Sequence, residues 1–517
     1  MKLKLNRFFL WWALLFSLVF VPLIAFLGFG VSDDLSFVGN IAPNYCDDLA
    51  YSLSRAGHVS RPIYGLIQTS TLHLFRDQYV FYNIVRLILW LVIIYQSIRV
   101  FGSFFGKNSK WFFIFFVSFP IFSSAHLFNF FQMGYLLSIV FYLLALGVIK
   151  DQKGGFTREH YWRYLLCGLL ALFSCEIVFP LIAFPLLYNH FGKWKELLNS
   201  KLFRWSILIF VLYFAYKFLI GPIYQSEPDI YGFSPSINSV LQSLYYFVVI
   251  LVEIPLLLLE VIPFYLSEPV LWLSLLVVPF MFVIQSHNDY ILNKKFAYSM
   301  LVTIALCSLI FLASNYPAVS FGLYNKMMLP AHICFSVLIS IFCLRLLKTR
   351  LHVLAYLIAV LWFASMQMQT INSIRSWDQR QQKLNEYVHV LNSEKLIEEY
   401  VFIEAPYFLP SNYNNEHVFS LNDDFHGGLS YFGYKGNSRM VYPFCLEMLK
   451  KRSYWSNHNI QHVLEDNEVN KFTIIQSGKI LENQHSLESL KNLPLKENKE
   501  CLRSQLRNYL IQKMKAL

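Results

Sequence analysis

Of the 517 residues 56% are hydrophobic and 18% aromatic while only 15% are charged, and the mean hydropathy is +0.44, which excludes an ordinary water-soluble globular protein. The apolar runs are continuous and do not alternate, so a membrane β-barrel is excluded too, leaving a polytopic helical membrane protein. The formal net charge of +11 sits largely in loops between apolar runs and in the tail, so it reads as topology-setting charge, and no nucleic-acid partner is expected.

The chain opens with MKLKLNR and the run FFLWWALLFSLVFVPLIAFLGFG. That run is longer than the roughly 7 to 15 apolar residues of a signal peptide, and no small-x-small cleavage pattern follows it. A retained helix is expected, with Lys2, Lys4 and Arg7 keeping the N-terminus in the cytoplasm. Two aspartate pairs come next, Asp33 and Asp34 in SDDLSF and Asp47 and Asp48 in CDDLAYSLSRAG, followed by Arg55 and by Arg61 in GHVSRP. The second pair also reads as part of an amphipathic interfacial helix with its charges solvated.

Further apolar spans lie near 79–98, 111–128, 131–149, 164–191, 203–221, 238–265, 269–285, 297–313, 327–344 and 352–370. Glu176 and Pro180 interrupt 164–191 within LFSCEIVFPLIAFP, so a tight pair of short helices is expected there. The run 238–265 holds Glu253, Pro255, Glu260 and Pro263, and is compatible with a similar pair, an interfacial helix or a single crossing.

Basic clusters at Arg99 to Lys110, Lys150 to Arg163, Lys193 to Arg204, Lys294 and Lys295, and Arg345 to Arg350 mark cytoplasmic loops. They all fall on one side if 238–265 contributes an even number of crossings, which gives about 11 to 13 in total and an outer C-terminus. The outer face then holds the aspartate-rich loop, SSAHLFNFFQ with His126 and Gln132, Glu176, SNYPAVSFGLYNK with Tyr324 and Lys326, and a soluble tail. The expected domains are residues 1–370 in the membrane and a small α/β domain over 371–517. The latter begins with the helical SIRSWDQRQQKLNEYVHVLNSEKLIEEY and holds strand-like YVFIEAP and KFTIIQSG. Asp423 and Asp424 in SLNDDFHGG read as a turn.

Cys167, Cys175, Cys307, Cys334 and Cys343 lie in spans and read as buried apolar residues. Cys46, Cys445 and Cys501 face the outer compartment, where Cys445 and Cys501 are a possible bridge. With no CxxC, HExxH or Walker loop in the sequence, zinc, redox and ATP-hydrolysis chemistry have no support.

Adjacent carboxylates at a membrane surface repel one another, which favours proton uptake by one of Asp33 and Asp34 from a hydroxyl; alternatively the pair holds a divalent cation such as Mg or Mn. If such a hydroxyl attacks an anomeric carbon and expels a phosphate, the leaving group needs cations, and Arg55, Arg61 and Lys326 are the outer-face candidates. Glu176, Gln132, His126, Tyr324, Asp47 and Asp48 are candidates to line the substrate cavity. Outside the cytoplasm the usable donor is a sugar on a polyprenyl phosphate.

The pattern SDDLSF after the first span, with GHVSRP before the second, resembles the bacterial GT-C glycosyltransferases, and most nearly the O-antigen-modifying glucosyltransferases. LFSCEIVFPLIAFPLL is similar to their short Ser-x-Glu hairpin through Ser174 and Glu176, and SNYPAVSFGLYNKMMLPA to their late outer loop. Asn325 and Lys326 stand where relatives commonly carry arginine, and Ser60 where glycine is usual. The resemblance covers roughly residues 8–370. It implies a GT-C-like helical fold, Asp34 or Asp33 as base or metal ligand, a polyprenyl-phosphate-linked donor, a glycan or lipid-linked acceptor, inversion, and a bacterial inner-membrane location beside an envelope-glycan flippase. The competing readings are a polysaccharide polymerase, disfavoured by short arginine-poor outer loops, a lipid-linked glycan flippase or transporter, and an assembly scaffold.

Overall fold

The computed structural model describes residues 7–29, 38, 41, 44–54, 59–105, 110–128, 132–150, 157–225, 236–283, 293–313, 318, 323–394, 396, 401–404, 422–437, 441–444, 473–476 and 479–480. The chain divides into two compact units, one of Met1–Phe26 with Ala42–Ile371, the other of Leu27–Ile41 with Asn372–Leu517.

The first unit is helical. It contains α1 (Arg7–Phe26), α2 (Tyr45–Ser54), α3 (Pro62–Phe75), α4 (Tyr79–Phe101), α5 (Lys110–Ser118), α6 (Met133–Lys150), α7 (Arg158–Ser174), α8 (Ala183–Asn189), α9 (Lys201–Ala215), α10 (Ile237–Val248), α11 (Trp272–Val283), α12 (Lys294–Leu306), α13 (Leu329–Leu346) and the first part of α14 (His352–Ser393). Among the described residues seven helical runs are long and apolar enough to cross a bilayer, and shorter apolar helices cover Phe16–Phe26, Glu176–Asn189 and Pro269–Val278. This is the multi-pass helical class that the composition demands.

Local chemistry sets the breaks. Helix α7 stops at Cys175, whose backbone is extended (φ −168°, ψ 131°), and the 3-10 turn Glu176–Ile182 with Pro180 leads into α8, so 164–191 is the expected pair of short helices. The stretch 238–265 is one helical run, Ser239–Leu266, which removes the helix pair from the three alternatives and leaves an interfacial helix or a single crossing. Pro255 does not split it, because the π turn Val249–Glu253 comes immediately before and re-routes the hydrogen bonds that a proline interrupts.

The end of α5 shows how backbone polar groups are satisfied inside so apolar a bundle. Pro120 prevents the helix from continuing, which strands carbonyls at its C-terminus. Trp90 Nε1–H donates to the Ser118 carbonyl at 3.0 Å, Trp362 Nε1–H to that of Phe119 at 2.8 Å, and Gln369 Nε2–H to that of Ile121 at 2.7 Å. Trp12 Nε1–H adds a bond to Ser118 Oγ at 3.0 Å. Four side chains from α1, α4 and α14 are thereby pinned to one break, and the indole rings fill the core around it.

The second unit takes in the rest of α14, then β1 (Val401–Glu404), α15 (Asn422–Tyr431), β2 (Val441–Phe444), β3 (Thr473–Gln476) and β4 (Lys479–Ile480). The sheet order is β2-β1-β3-β4, with β1 parallel to both neighbours and β4 antiparallel to β3. Helix α15 lies in the connection between the parallel strands β1 and β2, as a crossover requires. Three differences from the sequence reading stand out. Residues 352–393 form one helix of 42 residues, with no proline or glycine to divide a span from a tail helix. Asp423 and Asp424 lie in the first turn of α15 and not in an isolated turn. Leu27–Ile41 belongs with the tail.

Candidate functional site

Arg61 immediately precedes Pro62, which occupies the first turn of α3. A residue before proline is kept out of the helical region, and Arg61 (φ −130°, ψ 57°) leaves the helix start sideways. Its guanidinium forks onto Glu176, with Nε–H donating to Oε2 and Nη2–H to Oε1, both at 2.6 Å. The two side chains are 10% and 27% exposed. Glu176 reaches this position because the extended Cys175 ends α7 and turns the next residue into the site.

Lys326 enters from the 3-10 turn Leu323–Met328 that feeds α13, and is buried. Its Nζ lies 5.5 Å from the centroid of the Tyr135 ring, and the Arg61 Cζ lies 5.9 Å from the same centroid. Tyr135, in the first turn of α6, is therefore the shared neighbour of both cations, an arrangement that the ring's negative faces stabilise. Gly134 makes this possible, since a Cβ there would fall 2.1 Å from Cδ2 of Tyr64. The Tyr64 ring of α3 thus lies against the start of α6 and holds Arg61 near Tyr135. Lys217, in the π turn Tyr216–Ile220, adds positive potential at Glu176.

Asn325 fixes the turn that carries Lys326. Its Oδ1 accepts from the Ala125 N–H at 2.9 Å, and its Nδ2–H donates to Ser124 Oγ at 3.4 Å. Gln132, just ahead of α6, is 2% exposed, and its Oε1 has no hydrogen-bond partner among the described residues.

The structure therefore brings together Arg61, Glu176 and Lys326 out of the candidates from sequence, with Gln132 three positions before Tyr135. His126 and Tyr324 have their backbones in Ala125–Phe128 and Leu323–Met328; their side chains, like Asp33, Asp34 and Arg55, lie outside the described residues, as do Cys445 and Cys501. Asp48 joins α2 to α3 through a 2.7 Å contact between its Oδ2 and His73 Nε2, and Tyr45 Oη pairs with Ser70 Oγ at 3.0 Å alongside it. Asp47 is exposed. Cys175, Cys307, Cys334 and Cys343 are buried free thiols, Cys167 is half-buried and Cys46 exposed. Among the described residues no group of three or more His, Cys, Asp or Glu side chains is placed to hold a metal ion.

Sequence reasoning missed Tyr135 and Lys217. The lysine had a signal, as a charge deep inside the apolar run 203–221 and far from Arg204 at its start, where ionisable groups are rare. The tyrosine had none, being one of 32 in the chain.

Two cations from separate segments, one oriented by a bidentate carboxylate, are suited to an anion with several oxygens. The arginine, held by Glu176 on its Nε/Nη2 edge, has its remaining Nη N–H groups for such an anion, and the lysine is a point charge that follows charge as it develops.

No family model matches the chain, and no curated protein matches it. Among solved structures it is similar to ArnT from Cupriavidus metallidurans bound to undecaprenyl phosphate, at 12% identity over 91% of this chain and 96% of that chain, with a TM-score of 0.47. It is also similar to ArnT from Cupriavidus metallidurans in the apo state, at 12% identity over 86% of this chain and 91% of that chain, with a TM-score of 0.42. A likeness this distant carries no residue role across to this chain.

Proposed function

We propose that the chain is an integral-membrane glycosyltransferase of the GT-C type, which moves a sugar from a polyprenyl-phosphate donor onto an extracytoplasmic glycan such as O-antigen or another cell-surface polysaccharide. The observation that carries this reading is the buried Arg61–Glu176 fork beside Lys326 on the Tyr135 ring. In a chain this apolar, buried cations oriented by a carboxylate suit the phosphate of a lipid-borne leaving group.

Arg61 and Lys326 take up the negative charge that develops as the bond between the anomeric carbon and the phosphate oxygen breaks, its electron pair leaving on that oxygen. Asp34, or Asp33, takes the proton of the acceptor hydroxyl as its oxygen bonds to the anomeric carbon from the opposite face, which inverts the configuration. The other aspartate orients the base or binds a divalent cation, Mg or Mn. Glu176 holds the Nε/Nη2 edge of Arg61, which leaves the remaining Nη N–H groups for the phosphate, and lines the cavity with Gln132. The accompanying topology, with a cytoplasmic N-terminus and a periplasmic tail in the bacterial inner membrane, keeps an even contribution from 238–265 with the single run Ser239–Leu266 lying along the interface, which leaves about 11 of the expected 11 to 13 crossings.

The test is sugar transfer in membranes that contain equal amounts of wild type, Asp33→Asn or Asp34→Asn, supplied with a panel of polyprenyl-phosphate sugars. Wild type is expected to transfer one of them, and one substitution to lower the rate by about 100-fold or more, as loss of a general base does. No transfer from any donor, or two variants as active as wild type, would move a flippase or transporter reading ahead.

A further inference from the structure

Lys217 is a cation inside the membrane-crossing run Lys201–Tyr224, where the residues that follow it, Phe218, Leu219 and Ile220, are exposed apolar side chains. A lysine at that depth is costly unless something there needs its charge. It lies in the π turn Tyr216–Ile220, in which the Gly221 N–H bonds back to the Tyr216 carbonyl. Such a turn takes up one residue more than an α-helical turn, and it recurs at functional sites.

Contacts on two sides bring this part of the chain to the Arg61–Glu176 fork. The Tyr216 and Phe173 rings meet edge to face at 5.0 Å, and Tyr213, at the end of α9, meets the same ring at 5.9 Å; Phe173 is three residues before Glu176. A Cβ at Gly221 would fall 3.0 Å from Cγ1 of Val59, two residues before Arg61. The π turn is therefore packed against both segments that supply the fork. Tyr213 is 2% exposed, and its Oη, near Ser60 and within the field of Glu176 and Arg61, has no hydrogen-bond partner among the described residues. Lys217 forms no ion pair among the described residues, so it acts on Glu176 through its field and not by contact.

The charge balance then decides which ligand the site prefers. Glu176 cancels one of the charges of Arg61 and Lys326, and Lys217 restores it, so that three cations against one carboxylate leave two positive charges. A sugar phosphodiester carries a single negative charge. When its bond to the anomeric carbon breaks, the electron pair stays on the phosphate oxygen, and the lipid phosphate leaves with about two negative charges. We propose that Lys217 sets the net charge of the Arg61–Lys326 site, so that the site takes a lipid phosphomonoester dianion in preference to a phosphodiester monoanion. This rests on the phosphate-binding role proposed for Arg61 and Lys326. A site matched to the leaving group more closely than to the donor lowers the barrier as well as binding the donor.

The experiment is native mass spectrometry of the full-length protein with polyprenyl phosphate, its methyl phosphodiester and polyprenol, all of one chain length, at about pH 8, where the monoester is a dianion. Wild type is compared with Lys217→Met, Lys217→Arg and the double variant Lys217→Met/Glu176→Gln. Wild type is expected to prefer the monoester to the diester by about 10-fold, Lys217→Met by about twofold or less, and Lys217→Arg as wild type does. The double variant is expected to regain the preference, because Arg61 and Lys326 then stand without an opposing carboxylate. If Lys217→Met does not accumulate as folded protein, Lys217→Gln takes its place in both comparisons.

A preference that is unchanged in Lys217→Met, as for a lysine that only reaches to the membrane surface, would overturn the inference, and so would a double variant that does not regain it. Wild type that binds both phosphate lipids alike, and both better than polyprenol, overturns this inference alone. Wild type that binds polyprenol as well as the phosphate lipids overturns the phosphate site and this inference with it.

Discussion

Glu176 accepts both hydrogen bonds of the Arg61 fork at 2.6 Å, across 115 residues of sequence. A mostly buried pair of this kind is stable only while both partners are present, because either one alone is an uncompensated charge. Glu176→Ala is therefore expected to destabilise the protein by about 3 kcal/mol and to lower transfer, with Arg61→Ala similar in stability and worse in rate. The double variant should be less destabilised than the two single losses added together. A thermal-unfolding series in detergent that finds the two losses additive would contradict the coupling.

Both cations lie over the Tyr135 ring. Tyr135→Phe should keep transfer within about twofold, whereas Tyr135→Leu should raise the donor KM by about fivefold, the equivalent of roughly 1 kcal/mol of cation–π stabilisation. Donor titrations on the two variants check this, and a large loss in Tyr135→Phe would point to a role for the hydroxyl.

Lys326 stands where the resembled family commonly carries arginine. If its charge is what matters at the leaving group, Lys326→Arg should retain activity and Lys326→Gln lose about 100-fold in kcat. Equal activity in Lys326→Gln and wild type would remove the residue from the phosphate site.

Gly134 allows Tyr64 to lie on the first turn of α6. Gly134→Ala should destabilise the bundle by about 1 to 3 kcal/mol through overpacking, and Tyr64→Leu in the same chain should relieve much of that loss. Unfolding temperatures of the single and double variants decide it.

Asp48 and His73 hold α2 against α3 at 2.7 Å. Asp48→Asn should leave transfer within about threefold and reduce stability by no more than about 1 kcal/mol, as for a partly exposed pair. A loss of activity comparable to that of Asp34→Asn would return Asp48 to the substrate cavity.

The helices were legible because a bilayer demands long apolar runs, and that demand is written locally. So was the break at Glu176, where a carboxylate and Pro180 interrupt such a run. For 238–265 the sequence left a pair, an interfacial helix and a single crossing open, because two prolines and two glutamates allow a break and the π turn that absorbs Pro255 leaves no mark in composition; the structure has one run, Ser239–Leu266. Arg61 and Glu176 were each legible as costly charges near an apolar span, yet their pairing was not, since no local pattern links residues so far apart. The hydrogen bond that Arg380 donates to the Phe29 carbonyl, across 351 residues, was hidden for the same reason. Gly28 and Gly134 matter only through the rings that lie on them, Trp377 and Tyr64.

In the proposed function Arg61 and Lys326 hold the phosphate of a lipid-linked donor. The most direct measurement is native mass spectrometry of the purified full-length protein with polyprenyl phosphate and with the unphosphorylated polyprenol, in wild type and in the Arg61→Ala/Lys326→Ala double variant. Wild type is predicted to prefer the phosphate form by about 10-fold or more, and the double variant to bind the two lipids alike. Equal binding of both lipids by wild type, or a preference that survives the double substitution, would remove Arg61 and Lys326 from the phosphate site.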